Sequence, residues 1–191
     1  MSLRKLDRAF YQKPAEQLAR DLIGKILVHH VNGKQLRGRI VETEAYIGEH
    51  DLACHASKGR TKRTEVMFGD AGHAYVYFIY GMYEMLNIVA SHVGDAQAVL
   101  VRAAEPLDDW DENLTGPGRL ARGFEITRAD NAADLTGDRL FMLDDGSPTP
   151  RITRSKRINI DYAGHWKHRL LRFHATHSEA VSGPKRKISH R

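Results

Sequence analysis

Apolar residues recur at helical spacing at Leu18, Leu22 and Ile23, in a stretch that opens on Pro14 and stops at Gly24. A proline suits the first turn of a helix and a glycine ends one, so 14–24 predicts a short amphipathic helix that serves as scaffold. The period then falls to two. Lys25–Val31 and Gln35–Tyr46 flank Asn32-Gly33, and because this dipeptide supplies both positive-φ residues of a type I′ turn, the pair predicts a β-hairpin. Tyr75–Tyr80 alternates again, with Tyr75, Tyr77 and Ile79 on one face and Val76, Phe78 and Tyr80 on the other. Gly81 permits a turn there, carrying Tyr80 to an exposed tip. Further strands are predicted at Leu86–Ala90 and Ala98–Ala103, around a turn at Gly94-Asp95, and at Leu140–Leu143. Gly116–Arg122 predicts a helix, and Ile158, Ile160, Trp166, Leu171 and Phe173 complete the core. The polar, glycine-punctuated stretch Gly48–Gly72 reads as a long surface loop with little regular structure.

The chain has 191 residues, enough for one domain that buries roughly 70% of its unfolded surface. No repeat or low-complexity tract divides it. The single cysteine, Cys54, excludes an internal disulfide and a cysteine-rich zinc site, and suits a reducing, intracellular setting. The N-terminus lacks the apolar core of a signal peptide, and no run reaches the roughly 18 apolar residues of a membrane span, so neither secretion nor a membrane partner is expected.

Charge is uneven. From residue 151 onward eleven Lys or Arg face only Asp161 and Glu179, a net of +9, which leaves −4 for residues 1–150. With Lys58, Arg60, Lys62 and Arg63, this cationic part makes nucleic acid the leading partner, since phosphate neutralisation dominates polyanion binding. The alternative is a solvated flank with a frayed tail at Lys185–Lys187.

Candidate chemistry sits in four places. Four of the seven tyrosines (Tyr75, Tyr77, Tyr80 and Tyr83) fall within nine residues and are followed by Asn87. They suit a stacking platform for a base, or equally a core strand with its hydroxyls at the rim. Alternation places Ile40, Glu42, Glu44 and Tyr46 on one strand face, the two carboxylates ~7 Å apart. That spacing admits an O-glycoside hydrolase, whose inverting members hold two carboxyls roughly 6.5–9.5 Å apart. It also admits a solvated face, or a single general base framed by Ile40 and Tyr46. His55 reads as a pocket wall or hydrogen-bonding group, and with His50 and Cys54 it makes only a poor metal set. Arg102, inside an apolar strand, demands a carboxylate or phosphate partner, for which Glu42 and Glu44 are available. Arg119, at the start of the helix near 116–122, can face a phosphate.

The segments Arg39-Ile-Val-Glu-Thr-Glu-Ala-Tyr46, Tyr75-Val-Tyr-Phe-Ile-Tyr-Gly-Met-Tyr83 with Asn87, Val99–Pro106, Gly116-Pro-Gly-Arg-Leu120, and Ala163-Gly-His-Trp with Leu171-Arg-Phe173 occur in that order. Together they resemble the alkyladenine (3-methyladenine) DNA glycosylase family over nearly the whole chain. The resemblance implies a single mixed α+β domain, a curved antiparallel sheet surrounded by helices, and a protruding hairpin that inserts into DNA. It implies Glu44 as the general base that activates water, Arg102 as the group that helps hold that water, and Tyr46, His55 and Tyr77 as walls around the extruded base. Asn87 is similar to the asparagine that crowds the 2-amino group of guanine. Tyr80 looks like the wedge, with Met82 and Tyr83 beside it against the flanking pairs. Arg60, Thr61 and Arg119 match phosphate contacts, Arg119 standing where a lysine is frequent.

The expected activity is therefore hydrolytic release of alkylated purines from double-stranded DNA by a monofunctional N-glycosylase. It needs no cofactor or metal and acts as a monomer in the cytoplasm or wherever the genome is held. Two rivals stand beside it, an O-glycoside hydrolase using Glu42 and Glu44, and a non-catalytic nucleic-acid-binding module.

Overall fold

Asn32 (φ 51°) and Gly33 (φ 73°) both take positive φ, the condition a type I′ turn sets, and the strands on either side pair from Ile26↔Arg39 to Val31↔Lys34. The computed structural model describes residues 3–183. The tail at Lys185–Lys187, read as a frayed basic end, lies outside the described residues. Chain order is β1 (Arg4–Lys5), α1 (Arg8–Tyr11), α2 (Ala15–Asp21), β2 (Ile26–Val31), β3 (Lys34–Tyr46), β4 (Ala74–Ile79), β5 (Tyr83–Ala90), β6 (Gln97–Pro106), α3 (Pro117–Gly123), β7 (Leu140–Asp144), β8 (Ile152–Ser155) and β9 (Arg172–Ala175). Every strand pairing among them is antiparallel. The strands form one sheet in the order β1-β7-β2-β3-β6-β5-β4, with β9 joining β3 and β8 joining β9. The fold is a mixed α+β single domain. No helix among the described residues is long and apolar enough to cross a membrane.

β3 is the axis of the sheet. Its first half pairs with β2, its length with β6, and Glu42–Glu44 with β9. Register shifts between Ile40, Glu42 and Thr43 mark a bulge, which locally bends a strand and re-aims its side chains. Ile40 to Ala45 are all buried, because α2 covers one side: Leu18 and Leu22 are fully buried, and the Thr43 hydroxyl donates to the Ala19 carbonyl at 2.8 Å. A solvated face for Glu42 and Glu44 is thereby excluded, both carboxylates having no exposed surface.

Residues 48–72 form a loop with little regular structure, as expected, but much of it is buried rather than at the surface. They contain 3₁₀ turns at His55–Lys58 and Glu65–Phe68. Cys54, Ala56, Met67 and Phe68 pack with Tyr75, Val89, Ala96 and Ala98 into a second apolar cluster beneath β4–β6. The segment holds its shape through a buried acid, since Asp51 accepts from the Ile47 and Ala53 amides at 3.2 and 3.0 Å. Its apolar residues follow neither a helical nor a strand period, which is why the sequence reads as loop.

β4 and β5 pair from Ala74↔Ile88 to Ile79↔Tyr83. Tyr80 is not the last strand residue but a turn residue at φ 54°, next to Gly81 at φ 69°. A left-handed backbone is costly for an aromatic residue, and it leaves Tyr80 71% exposed at the tip.

Candidate active site

The aromatic end of β4, the start of β5, α3 and the segment 158–162 enclose a cavity of about 360 Å³. Tyr46, His55, Tyr77, Tyr80, Asn87 and Arg102 line it, joining residues from four strands, the loop after β3 and the hairpin tip.

Each wall has a local cause. Tyr77 and Tyr75 lie two apart on β4, with ring centroids 5.4 Å apart, as strand alternation requires. The His55 ring stands edge-on to Tyr77 at 4.5 Å, and its Nδ1 is 2.9 Å from the Tyr75 hydroxyl. Burial, with the nearby Arg63 guanidinium, pushes its pKa down to about 4, so His55 is a neutral wall at pH 7. Arg63 lies over the Tyr77 ring at 5.2 Å. Asn87 is buried opposite Tyr75, its Nδ2 donating to the Tyr75 carbonyl at 3.2 Å.

Glu44, fully buried, does not itself line the cavity; it lies behind three residues that do. Tyr46 donates its hydroxyl to Glu44 Oε2 at 2.9 Å, the Ile158 amide donates to Oε1 at 2.8 Å, and Arg102 Nη1 stands 3.4 Å from Oε2. All three of these residues line the cavity. Burial, reinforced by the Glu44 carboxylate, holds the Tyr46 phenol well above its ordinary pKa, so it remains a donor. Arg102 meets both expected carboxylates, its Nε donating to Glu42 Oε1 at 2.8 Å. Burial opposes its charge, but Glu44 and Glu42 more than compensate and raise its pKa. Glu42 is occupied on every side: Arg102, Arg172 and Ser182 Oγ donate to Oε1, and the Ser182 amide donates to Oε2 at 2.6 Å.

The remaining predicted residues lie at the mouth or outside it. Met82 is 65% exposed, and Tyr83 is exposed beside it with its ring against Gly118, where a Cβ would fall 2.5 Å from that ring. Arg119, exposed on α3, lines the cavity. Arg60 and Thr61 do not line it: Arg60 pairs with Glu65 at the surface, and the Thr61 amide donates to Thr64 Oγ1 at 2.9 Å.

Sequence reasoning passed over four contributors. Arg157 forms a fully buried two-pronged pair with Asp51 at 2.6 and 2.9 Å and lies over the Tyr46 ring at 4.7 Å. In the sequence it stands in a run of cations that reads as surface, and only its apolar neighbours Ile158 and Ile160 hint at burial. The seventh tyrosine, Tyr162, is 71% exposed and lines the cavity mouth. Arg172 and Ser182, distant in sequence, carried no signal of their contact with Glu42.

The family model for methylpurine-DNA glycosylase matches residues 9–179. A protein of Myxococcus xanthus named "Putative 3-methyladenine DNA glycosylase" is 50% identical over 184 residues, covering 94% of each chain. Proteins of the same name from Legionella pneumophila strain Corby and Methanocella arvoryzae are each 46% identical. They align over 181 and 190 residues, covering 94% and 93% of this chain and 99% and 95% of theirs. The chain therefore belongs to the methylpurine-DNA glycosylase family.

Proposed function

We propose that this protein is a monofunctional DNA N-glycosylase that turns alkylated purines such as 3-methyladenine out of double-stranded DNA and hydrolyses their bond to deoxyribose. The observation that carries the reading is a buried carboxylate, Glu44, held between a tyrosine hydroxyl and a guanidinium that both line an aromatic cavity.

A stacked base hides its glycosidic carbon, so the nucleotide must leave the helix, at a cost of a few kcal/mol in lost stacking. Tyr80, on the hairpin tip, fills the vacated space, while Met82 and Tyr83 meet the flanking pairs. The base enters between Tyr46, His55 and Tyr77. Alkylation at N3 or N7 gives a purine a positive charge, which electron-rich ring faces attract by about 0.5–2 kcal/mol. A neutral His55 adds no repulsion. Asn87, on the buried side, sets which purine edges fit. Arg60, Thr61 and Arg119 hold phosphates.

Arg102 orients a water molecule, and Glu44 takes its proton as the water oxygen bonds to the sugar C1′. The C1′–N bond breaks and its electron pair neutralises the cationic purine, while the carboxylate offsets the developing oxocarbenium charge. No lysine lines the cavity among the described residues, which favours hydrolysis over a Schiff base and leaves the strand uncut. The two-carboxylate rival requires a free Glu42, whereas Glu42 accepts four hydrogen bonds. A non-catalytic module gives no reason to bury Glu44 at the cost a charge carries. The enzyme acts as a monomer, wherever the genome is held.

Incubating the protein with methylated duplex DNA and chromatographing the released material tests the reading. Free 3-methyladenine from uncut strands is expected; absence of free base contradicts it.

A further inference from the structure

Arg102 is shared between two acids that differ in how they are held. Toward Glu44 it presents Nη1 at 3.4 Å, an ion pair too long for a good hydrogen bond. Toward Glu42 it presents Nε at 2.8 Å. Its third nitrogen, Nη2, donates to Ser182 Oγ at 3.1 Å. That hydroxyl in turn donates to Glu42 Oε1 at 2.9 Å. Arg172 closes the ring, donating from Nε to Glu42 Oε1 at 2.6 Å, from Nη1 to Ser155 Oγ at 3.1 Å and from Nη2 to the Ser182 carbonyl at 2.6 Å.

This arrangement is costly unless it serves the site. Glu42 is fully buried and Arg102 nearly so, and a buried ion network is weak evidence for stability, because apolar residues fill such space equally well. Its geometric effect is specific. Two of the three guanidinium nitrogens are tied to Glu42 and Ser182, so the plane of Arg102 is fixed and only Nη1 faces Glu44. A released Arg102 would turn both its Nη groups onto Glu44 in the bidentate form that arginine favours, occupying the lone pair with which the carboxylate must receive a proton. The segment after β9 reaches back to the sheet to prevent this, Ser182 lying 140 residues from Glu42 in sequence.

We propose that Glu42, Arg172 and Ser182 are positioning residues that hold Arg102 off Glu44, keeping one carboxylate lone pair and the adjoining guanidinium nitrogen free for the hydrolytic water. The proposal rests on Glu44 as the base. The groups facing that carboxylate come from four elements: Tyr46 on β3, Tyr77 on β4, Arg102 on β6, and Arg157 with the Ile158 amide after β8; Arg172, the backbone partner of Glu44 on β9, sends its guanidinium to Glu42. Among these groups Arg102 is the one whose guanidinium stands within ion-pair distance of both acids.

The test uses the full chain with Glu42→Gln, Ser182→Ala and Ser182→Thr. Single-turnover base release from methylated duplex falls at least about tenfold in Glu42→Gln and about three- to tenfold in Ser182→Ala, a cost typical of small misplacement at a reacting centre. Affinity for lesion DNA stays within about twofold, since the lost interaction acts on the chemical step rather than on binding. Ser182→Thr, which keeps the hydroxyl, restores most of the rate. Should Glu42→Gln fail to fold, the Ser182 pair decides. Rates within about twofold of wild type in Ser182→Ala, or equal losses in Ser182→Ala and Ser182→Thr, overturn the proposal. Rotation of the Arg102 Nη groups about the Cζ–Nη bonds, followed by 15N NMR, reports the clamp without substrate: Nη2, which donates to Ser182 Oγ, is slow in wild type and fast in Ser182→Ala, and an unchanged rate counts against the clamp. If wild-type protein releases no base, the reading of Glu44 falls while the rotation experiment still decides the clamp.

Discussion

The backbone amide of Ile158 donates to Glu44 Oε1 at 2.8 Å, joining the central strand to a loop 114 residues further along the chain. With Tyr46 on the other oxygen, the carboxylate has one permitted orientation, and the walls of the cavity are tied to it. Tyr46 touches both the acid and the cavity, and Arg157 packs on its ring, so pocket shape and acid placement depend on the same few contacts.

That dependence makes the Asp51–Arg157 pair a test of the scaffold. Both side chains are fully buried, and Arg157 also donates to the Ala45 carbonyl at 3.0 Å. Replacing Asp51 by Asn leaves an uncompensated guanidinium behind Tyr46, which should cost about 3–5 kcal/mol. Urea denaturation of Asp51→Asn should show that loss, together with slower base release from the protein still folded. A midpoint equal to wild type would show that the pair carries no such role.

His55 supplies a pH signature. Its folded pKa, pushed down to about 4 by burial and Arg63, lies below the roughly 6.5 of an unfolded histidine. Between those values the unfolded chain binds more protons, so His55 contributes stability that is present above pH 6.5 and is lost as the pH falls toward 4. Imidazole NMR should find His55 neutral at pH 5.5. A midpoint near 6.5 would contradict its burial against Tyr77.

How much of this is visible in the chain depends on whether the responsible interaction is local. The Asn32-Gly33 hairpin and the α2 helix are written in turn chemistry and periodicity, and they stand where expected. The grouping of Tyr46, His55, Tyr77 and Asn87 was legible through family resemblance, since strand alternation alone left the tyrosines open between platform and core. Burial of Glu42 and Glu44 was hidden, because alternating acids on a strand look solvated until β9 and the segments at Ile158 and Ser182 close over them. The same holds for Asp51 in its irregular loop and for Arg157 in a run of surface cations. Their partners are 106 residues apart, and no short-range pattern announces an ion pair at that separation.

Tyr80 stands at positive φ and 71% exposed, strained and unburied in the free protein. Removing its ring should leave stability within about 0.5 kcal/mol, the range of ordinary surface substitutions, while base extrusion suffers. For Tyr80→Ser, fluorescence of a 2-aminopurine placed beside the lesion should show weaker flipping and affinity for lesion DNA should fall. Unchanged lesion affinity would remove the wedge.

The most direct trial of the central claim is Glu44→Gln, which keeps the shape of the side chain and its contact with the Ile158 amide but removes the base. Single-turnover release of 3-methyladenine should fall by at least about a hundredfold, with lesion DNA bound as tightly as by wild type. Release at the wild-type rate would contradict the account.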